Sequence, residues 1–233
     1  MNKPQTAAPP VDMAAFLASS AHDMKNSISL LIRGLEGILD SADARALAAY
    51  DDLAQMTYEA KRVNSNLIQL LTLYKIGQEI YPFDPRPVAL ADFVGLIAAQ
   101  SDALMKSQGV ALDFASEPDL YWDFDEDLIA GVIGNAFNNA IHYTRDRVSL
   151  SAARVGDGLE LRIEDNGRGY PQHMLDECTE RMRGVDFAAG STGLGLYFSA
   201  IVARLHQHRG QRGEIRLENG GALGGGCFIL RLP

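Results

Sequence analysis

Two cysteines, Cys178 and Cys227, are all the thiol chemistry in these 233 residues. Two thiols make no disulfide framework and no metal-ligand spacing, so reduced cysteines in a reducing compartment are expected. Basic stripes are also missing. The net charge is −9, with 7 basic and 8 acidic residues in 1–77 and 14 basic and 22 acidic in 78–233. The acidity lies in the second part, and no face suited to nucleic acid stands out. Long apolar runs are lacking too. The longest, around Leu67–Tyr74, is too short and too broken to span a bilayer, and no signal peptide opens the chain. The expectation is a cytoplasmic protein without membrane insertion. At 47% hydrophobic residues the chain has the means for a core, which excludes wholesale disorder.

What is present divides by texture. Residues 1–11, with three prolines, read as a flexible lead-in. From Asp12, a candidate cap, to Leu39, apolar residues Leu17, Ala21, Met24, Ile28, Leu31, Leu35 and Ile38 alternate steps of 4 and 3. That is a heptad seam. Asp40, Ser41 and Asp43 break it. A second seam follows through Ala49, Leu53, Met56, Ala60, Val63, Leu67, Leu70 and Tyr74, with Gly77 as its stop. Two such helices make an antiparallel hairpin, and two hairpins make a four-helix bundle. Residues 12–77 are therefore expected to form a homodimer. Residues 78–87 hold three prolines and read as a linker.

Residues 88–233 mix strands and helices. Strands are expected over 110–114, 120–124, 148–153, 159–164, 214–218 and 227–232, the last two joined by the glycine-rich turn Gly220–Gly226. Val88–Gln108 reads as a strand start followed by a helix, and further helices are expected over 125–143 and 194–205. Hairpins outnumber regular strand–helix alternation. The fold class is α+β: an N-terminal helical hairpin, then an α/β sandwich with helices on one face of a mixed sheet.

Four stretches carry chemistry. In LRIEDNGRGY a strand ends at Asp165, whose carboxylate suits an exocyclic amine, and Gly167 and Gly169 permit close backbone approach. In GSTGLGL, Gly190, Thr192, Gly193, Leu194 and Gly195 open onto a helix, where backbone amides form an anion site. In GNAFNNAIHYT, Asn135 and Asn139 lie four apart on one helix face, and hydrated Mg²⁺ with its phosphates would satisfy such amides. In SAHDMKNSISLL, His22 sits one residue past the seam, followed by Asp23 and, one turn on, Asn26. The acidic run Asp123–Asp127 reads as a helix cap, and His173, His206 and His208 as surface residues.

In that order the stretches resemble the phosphoacceptor, asparagine and two glycine boxes of sensor histidine kinases. The resemblance implies a protein-histidine kinase using ATP and Mg²⁺. Asp165 would bond the adenine amine, Asn139 would coordinate Mg²⁺ with support from Asn135, and Tyr143 and His142 would lie by the nucleotide. Gly167 and Gly169 would shape the lid, and Gly190, Gly193 and Gly195 would cradle phosphates. His22 would take the γ-phosphoryl group, assisted by Asp23, and pass it to an aspartate of a response regulator. Asn26 would serve a phosphatase reaction. Hydrolysing relatives in the wider superfamily carry a glutamate four residues before the magnesium asparagine; here Asn135 stands there, and an amide is no base for water. The input would come from a separate sensor protein or from residues outside this sequence. Phe187 is the nearest match to a phenylalanine box in the short lid, and Arg181 and Arg183 are candidates for phosphate contact. A dimeric phosphotransfer protein whose ATP-like domain no longer binds nucleotide is the alternative.

Overall fold

The computed structural model describes residues 13–41, 49–181 and 193–233. The chain divides into two compact units, one ending at Tyr81 and one running from Pro82 to Pro233. Among the described residues no helix is long and apolar enough to cross a membrane.

The first unit is a pair of helices, α1 (Met13–Leu39) and α2 (Tyr50–Gly77). Lys61 Nζ pairs with Glu36 at 2.6 Å and Ser29 Oγ donates to Asn64 at 3.4 Å, so the pairing is antiparallel. The expected caps at Asp12 and the turn at Asp43 lie outside the described residues. Helix α2 stops at Gly77, as expected, and the positive φ falls two residues on, at Glu79, at 58°.

The second unit opens with β1 (Arg86–Ala89), antiparallel to β3 (Tyr121–Phe124). This strand starts inside the proline-rich stretch read as linker. Pro87 is tolerated because the ladder has only two strands and leaves an edge for the missing N–H. Helix α3 (Leu90–Gln108) leads to β2 (Ala111–Ser116), α4 (Glu126–Tyr143), β4 (Arg147–Val155), β5 (Gly158–Asp165), α5 (Gln172–Arg181), α6 (Gly193–Leu205), the short pair β6 (Gln207–His208) and β7 (Gln211–Arg212), β8 (Glu214–Asn219) and β9 (Gly226–Leu232). The five-stranded sheet runs β2-β4-β5-β9-β8, and only β2–β4 is parallel.

Alternation sets the two faces of the sheet. Leu159, Leu161 and Ile163 of β5 stand beside Leu232, Leu230 and Phe228 of β9, all 2% exposed or less, on the face against which α4 and α6 pack. The intervening residues form an ion ladder on the other face. Arg162 reaches Glu160 at 3.2 Å and Glu164 at 3.0 Å, and Arg231 reaches Glu160 at 2.8 Å. Burial alone would raise the Glu160 pKa, but hydrogen bonds from Arg231 and Arg162 outweigh it and hold it below the ordinary value. Cys227 lies under Arg162, 3.2 Å from Nη1. Burial pushes its thiol up to about 12, so it packs as a small apolar group and is not a nucleophile.

Candidate functional site

Helix α4 begins on Asp125, whose Oδ1 accepts the Leu128 N–H at 3.1 Å, an N-cap placed by the acidic run. Leu128, Ile129, Val132, Ile133, Ala136, Phe137, Ala140 and Ile141 are buried, which turns the opposite face, with Asn139, outward. Asn135 is half-buried. A Cβ added to Gly195 would overlap the Asn135 side-chain amide. Gly193, Leu194 and Gly195 form the first turn of α6, whose N–H groups have no partner inside the helix. The start of α6 thus lies on the amide face of α4. Gly190 and Thr192 lie outside the described residues, as do Phe187 and Arg183.

The end of α4 meets the end of β5. The Asn166 carboxamide accepts N–H bonds from Arg145 at 3.1 Å and from Asp146 and Arg147 at 3.3 Å, and donates to Asp146 at 2.8 Å. A Cβ on Gly167 would run into the Tyr143 carbonyl oxygen. Gly167 therefore serves first to seat the Asp165–Gly167 corner on α4. Gly169 has φ +76°, and a Cβ there would lie 2.7 Å from Asn219 Oδ1. Asn219 accepts the Tyr170 N–H at 2.7 Å and donates to the Tyr170 carbonyl at 2.8 Å. Sequence reasoning gives both glycines to the ligand; the structure shows protein atoms filling the space each leaves open.

Asp165 is 6% exposed. Its Oδ1 accepts N–H bonds from Gly167 at 2.7 Å and Gly226 at 3.2 Å. Among the described residues no donor is recorded at Oδ2, which leaves that oxygen for an amine. Gly225 and Gly226 of the β8–β9 turn escaped sequence reasoning as site residues. A Cβ on Gly225 would stand 2.5 Å from Asp165, and one on Gly226 2.8 Å. No local signal marked them: neither has the positive φ of Gly220, Gly221 and Gly224, and it is the close approach of Asp165, from another strand, that demands glycine. Arg168 was missed as well. Its guanidinium lies 5.6 Å over the half-exposed Tyr143 ring, and His142, exposed, meets the same ring edge-on at 4.8 Å.

The amide oxygen of Asn139 is a hard donor on an open face, which fits Mg²⁺, an ion that keeps most of its waters and takes one or two protein oxygens. One histidine is misjudged from sequence. His206 is 5% exposed, not a surface residue. Its Nε2 accepts the Asp125 N–H at 3.0 Å, and Nδ1 lies 2.8 Å from the Val202 carbonyl. His173 and His208 are exposed as expected.

In the first unit Ala21 is 8% exposed, while the His22 side chain is 59% exposed. His22 Nδ1 lies 3.7 Å from Asp23 Oδ1 and 3.4 Å from the Asn26 amide nitrogen. Both neighbours attend Nδ1.

A helix-covered mixed sheet, with an aspartate–glycine corner and a glycine-opened helix at one end, defines an ATP-binding sandwich. Residues 124–233 match the family described as histidine kinase-, DNA gyrase B-, and HSP90-like ATPase. The ATP binding domain of PrrB from Mycobacterium tuberculosis is 30% identical, spanning 64% of this chain and 97% of its own, with a TM-score of 0.50. The Acinetobacter baumannii histidine kinase AdeS shares the fold over 91% of this chain and 96% of its own, at 18% identity and TM-score 0.57. The phosphate regulon sensor protein PhoR of Pseudomonas aeruginosa is 28% identical over 200 residues, 83% of this chain and 45% of its own. The sensor protein SrrB of Staphylococcus aureus is 25% identical over 224 residues, 94% of this chain and 37% of its own. The chain spans less than half the length of these curated relatives. It belongs to the histidine kinase family and carries that family's ATP-binding catalytic domain.

Proposed function

We propose that this chain is the kinase core of a two-component system: it binds Mg²⁺-ATP in the second unit, phosphorylates His22, and passes the phosphoryl group to an aspartate of a receiver domain. The observation that carries the reading is a convergence. The Gly167–Tyr143 contact seats the Asp165 corner on the end of α4, and the Gly195–Asn135 contact seats the start of α6 on its amide face. The residues proposed for adenine, Mg²⁺ and phosphate thereby share one end of one sandwich, which supports the reading. Asp165 Oδ2 would accept the adenine amine, Asn139 would hold Mg²⁺ with Asn135 beside it, and the first turn of α6 would face the phosphates. Tyr143, between Arg168 and His142, offers a flat surface to the nucleotide. Bound Mg²⁺ supplies charge neutralisation at the phosphates.

At His22 the reactive form is the neutral ring with its proton on Nδ1. Asp23 favours that tautomer and stabilises the positive charge that grows as Nε2 bonds to the γ-phosphorus. The bond from phosphorus to the β–γ bridging oxygen breaks, ADP leaves, and the Nδ1 proton is then lost to solvent. The Asn26 carboxamide lies 3.4 Å from the same Nδ1, and either its oxygen or its nitrogen can meet that atom as the tautomer requires. The phosphatase role proposed for Asn26 belongs to the phosphorylated state.

The hairpin supports a homodimer. Met24, Leu31 and Ile38 on α1, and Met56, Val63 and Leu70 on α2, recur every seven residues and are 44–63% exposed. Two copies would bury both stripes as a four-helix bundle. The signal would come from a sensor protein or from residues outside this sequence, and the reaction belongs in the cytoplasm with its ATP.

The test is incubation with γ-labelled ATP and Mg²⁺, beside Asp165→Asn and Asn139→Ala. Acid-labile, alkali-stable label on the parent chain and none on either variant is expected. An unlabelled parent chain that binds no nucleotide would favour a phosphotransfer protein with a degenerate ATP unit.

A further inference from the structure

The two ring nitrogens of His206 face two helices. Nε2 accepts from Asp125, the cap of α4, which requires the proton on Nδ1, where it is donated to Val202 inside α6. The Asp125 carboxylate is shared in turn: Oδ1 caps Leu128, and Oδ2 accepts the Asp84 N–H at 3.1 Å, from the segment that leads into this unit. Phe83 sets its ring edge-on to His206, centroids 5.0 Å apart. The leading segment, the start of α4 and the end of α6 thus meet in one buried joint. Helices α4 and α6 run antiparallel from it, through the Gly131–Phe198 contact, to the Gly195–Asn135 contact.

We propose that His206 is a positioning residue: its neutral ring locks residues 83–84 to the start of α4, and through α4 sets the Asn135–Asn139 face, while protonation releases both. An imidazolium has two donors and no acceptor, so Nε2–H would confront the Asp125 N–H donor to donor. A groove of about 530 Å³, bordered by Phe83, Tyr121 and Trp122, reaches the ring and gives the proton its route. The Asp125 carboxylate, at the start of α4, favours the charged ring; the other charged and titratable groups that line the groove with His206 are Asp123 on β3, Arg154 on β4, Asp157 in the β4–β5 turn and His208 on β6. Burial is the larger influence and holds the His206 pKa below its ordinary value, against the pull of the Val202 carbonyl and Asp125. The effect on nucleotide affinity rests on the reading of α4 given above; the joint itself does not.

Amide exchange in the full chain decides it, compared between about pH 7.5 and about pH 5 after correction for intrinsic rates. Protection of the Asp84 and Asp125 amides is expected to fall about ten-fold on acidification in the parent chain, while the Ile133 amide inside α4 holds. His206→Gln, whose amide keeps a donor and an acceptor but does not titrate, should hold protection at both pH values. His206→Leu should lose it at both, with nucleotide affinity down about five-fold at neutral pH and restored in the glutamine variant. Should the leucine variant fail to fold, the parent and glutamine chains suffice. Identical pH profiles at Asp84 and Asp125 in those two would overturn the proposal. A parent chain that binds no nucleotide at any pH would sink the functional reading, with the exchange data still judging the joint.

Discussion

The two units treat their apolar residues in opposite ways. In the sandwich, Leu90, Val94, Phe124, Ile129, Ile133, Phe137, Leu150 and Leu161 are all at 0% exposure. In the hairpin, Ala21 and Ile32 are the buried apolar residues among those described, while two heptad rows stay open. A sandwich that closes its own core folds as one chain. A hairpin with two apolar rows exposed leaves them for a partner, which in the proposed homodimer is a second copy. Chemistry follows the same division. Asp165, the proposed adenine acceptor, is 6% exposed and held by backbone N–H bonds, whereas the side chain of His22, the proposed phosphoryl acceptor, is 59% exposed.

Truncation of the core should give the largest effect. Phe137→Ala is expected to cost about 3–5 kcal/mol in urea unfolding, independent of protein concentration. Gly167→Ala, which sets a methyl against a backbone carbonyl that cannot turn away, should cost about 1–3 kcal/mol in the same assay. In the hairpin, Leu31→Ala loses about 1.5–3 kcal/mol per chain, but only where two copies meet. Its effect should therefore scale with protein concentration, and Leu31→Glu should sediment as a monomer at tens of micromolar. A Leu31 variant as concentration-independent as Phe137→Ala would erase the contrast between the units. Gly195→Ala meets a flexible amide, so stability should barely change while nucleotide affinity falls about ten-fold, roughly 1.4 kcal/mol. The smallest effect is that of pH. The folded His206 pKa lies below its ordinary 6.5, so on acidification the unfolded chain takes the proton first. Stability from this group is complete above about 6.5 and erodes as pH falls below it. The urea midpoint should drop more on acidification in the parent chain than in His206→Gln; a midpoint that rises would contradict the assignment.

Local patterns were legible where one face of an element is buried. Steps of 4 and 3 mark α1 and α2, alternation marks β5, and the acidic run marks the cap at Asp125. Contacts between distant segments were not. Arg86–Ala89 lies in a proline-rich stretch, and only pairing with Tyr121–Phe124 makes it a strand. His206 has a polar neighbourhood in sequence, and nothing local says that Asp125, 81 residues away, donates to it. Gly225 and Gly226 read as turn residues because the aspartate they admit sits on another strand. At the site, Gly167, Gly169 and Gly195 were read for ligand contact alone, and nothing local showed that Tyr143, Asn219 and Asn135 also stand where a Cβ on each would lie.

The claim that ties both units together is transfer from bound ATP to one ring nitrogen on α1. Phosphorylation of ring-¹⁵N-histidine protein, read by ³¹P–¹⁵N coupling at alkaline pH beside His22→Ala, tests it most directly. The account predicts one phosphoramidate, on Nε2 of His22, absent from the variant. Phosphorus on Nδ1, on another residue, or equally on His22→Ala would contradict it.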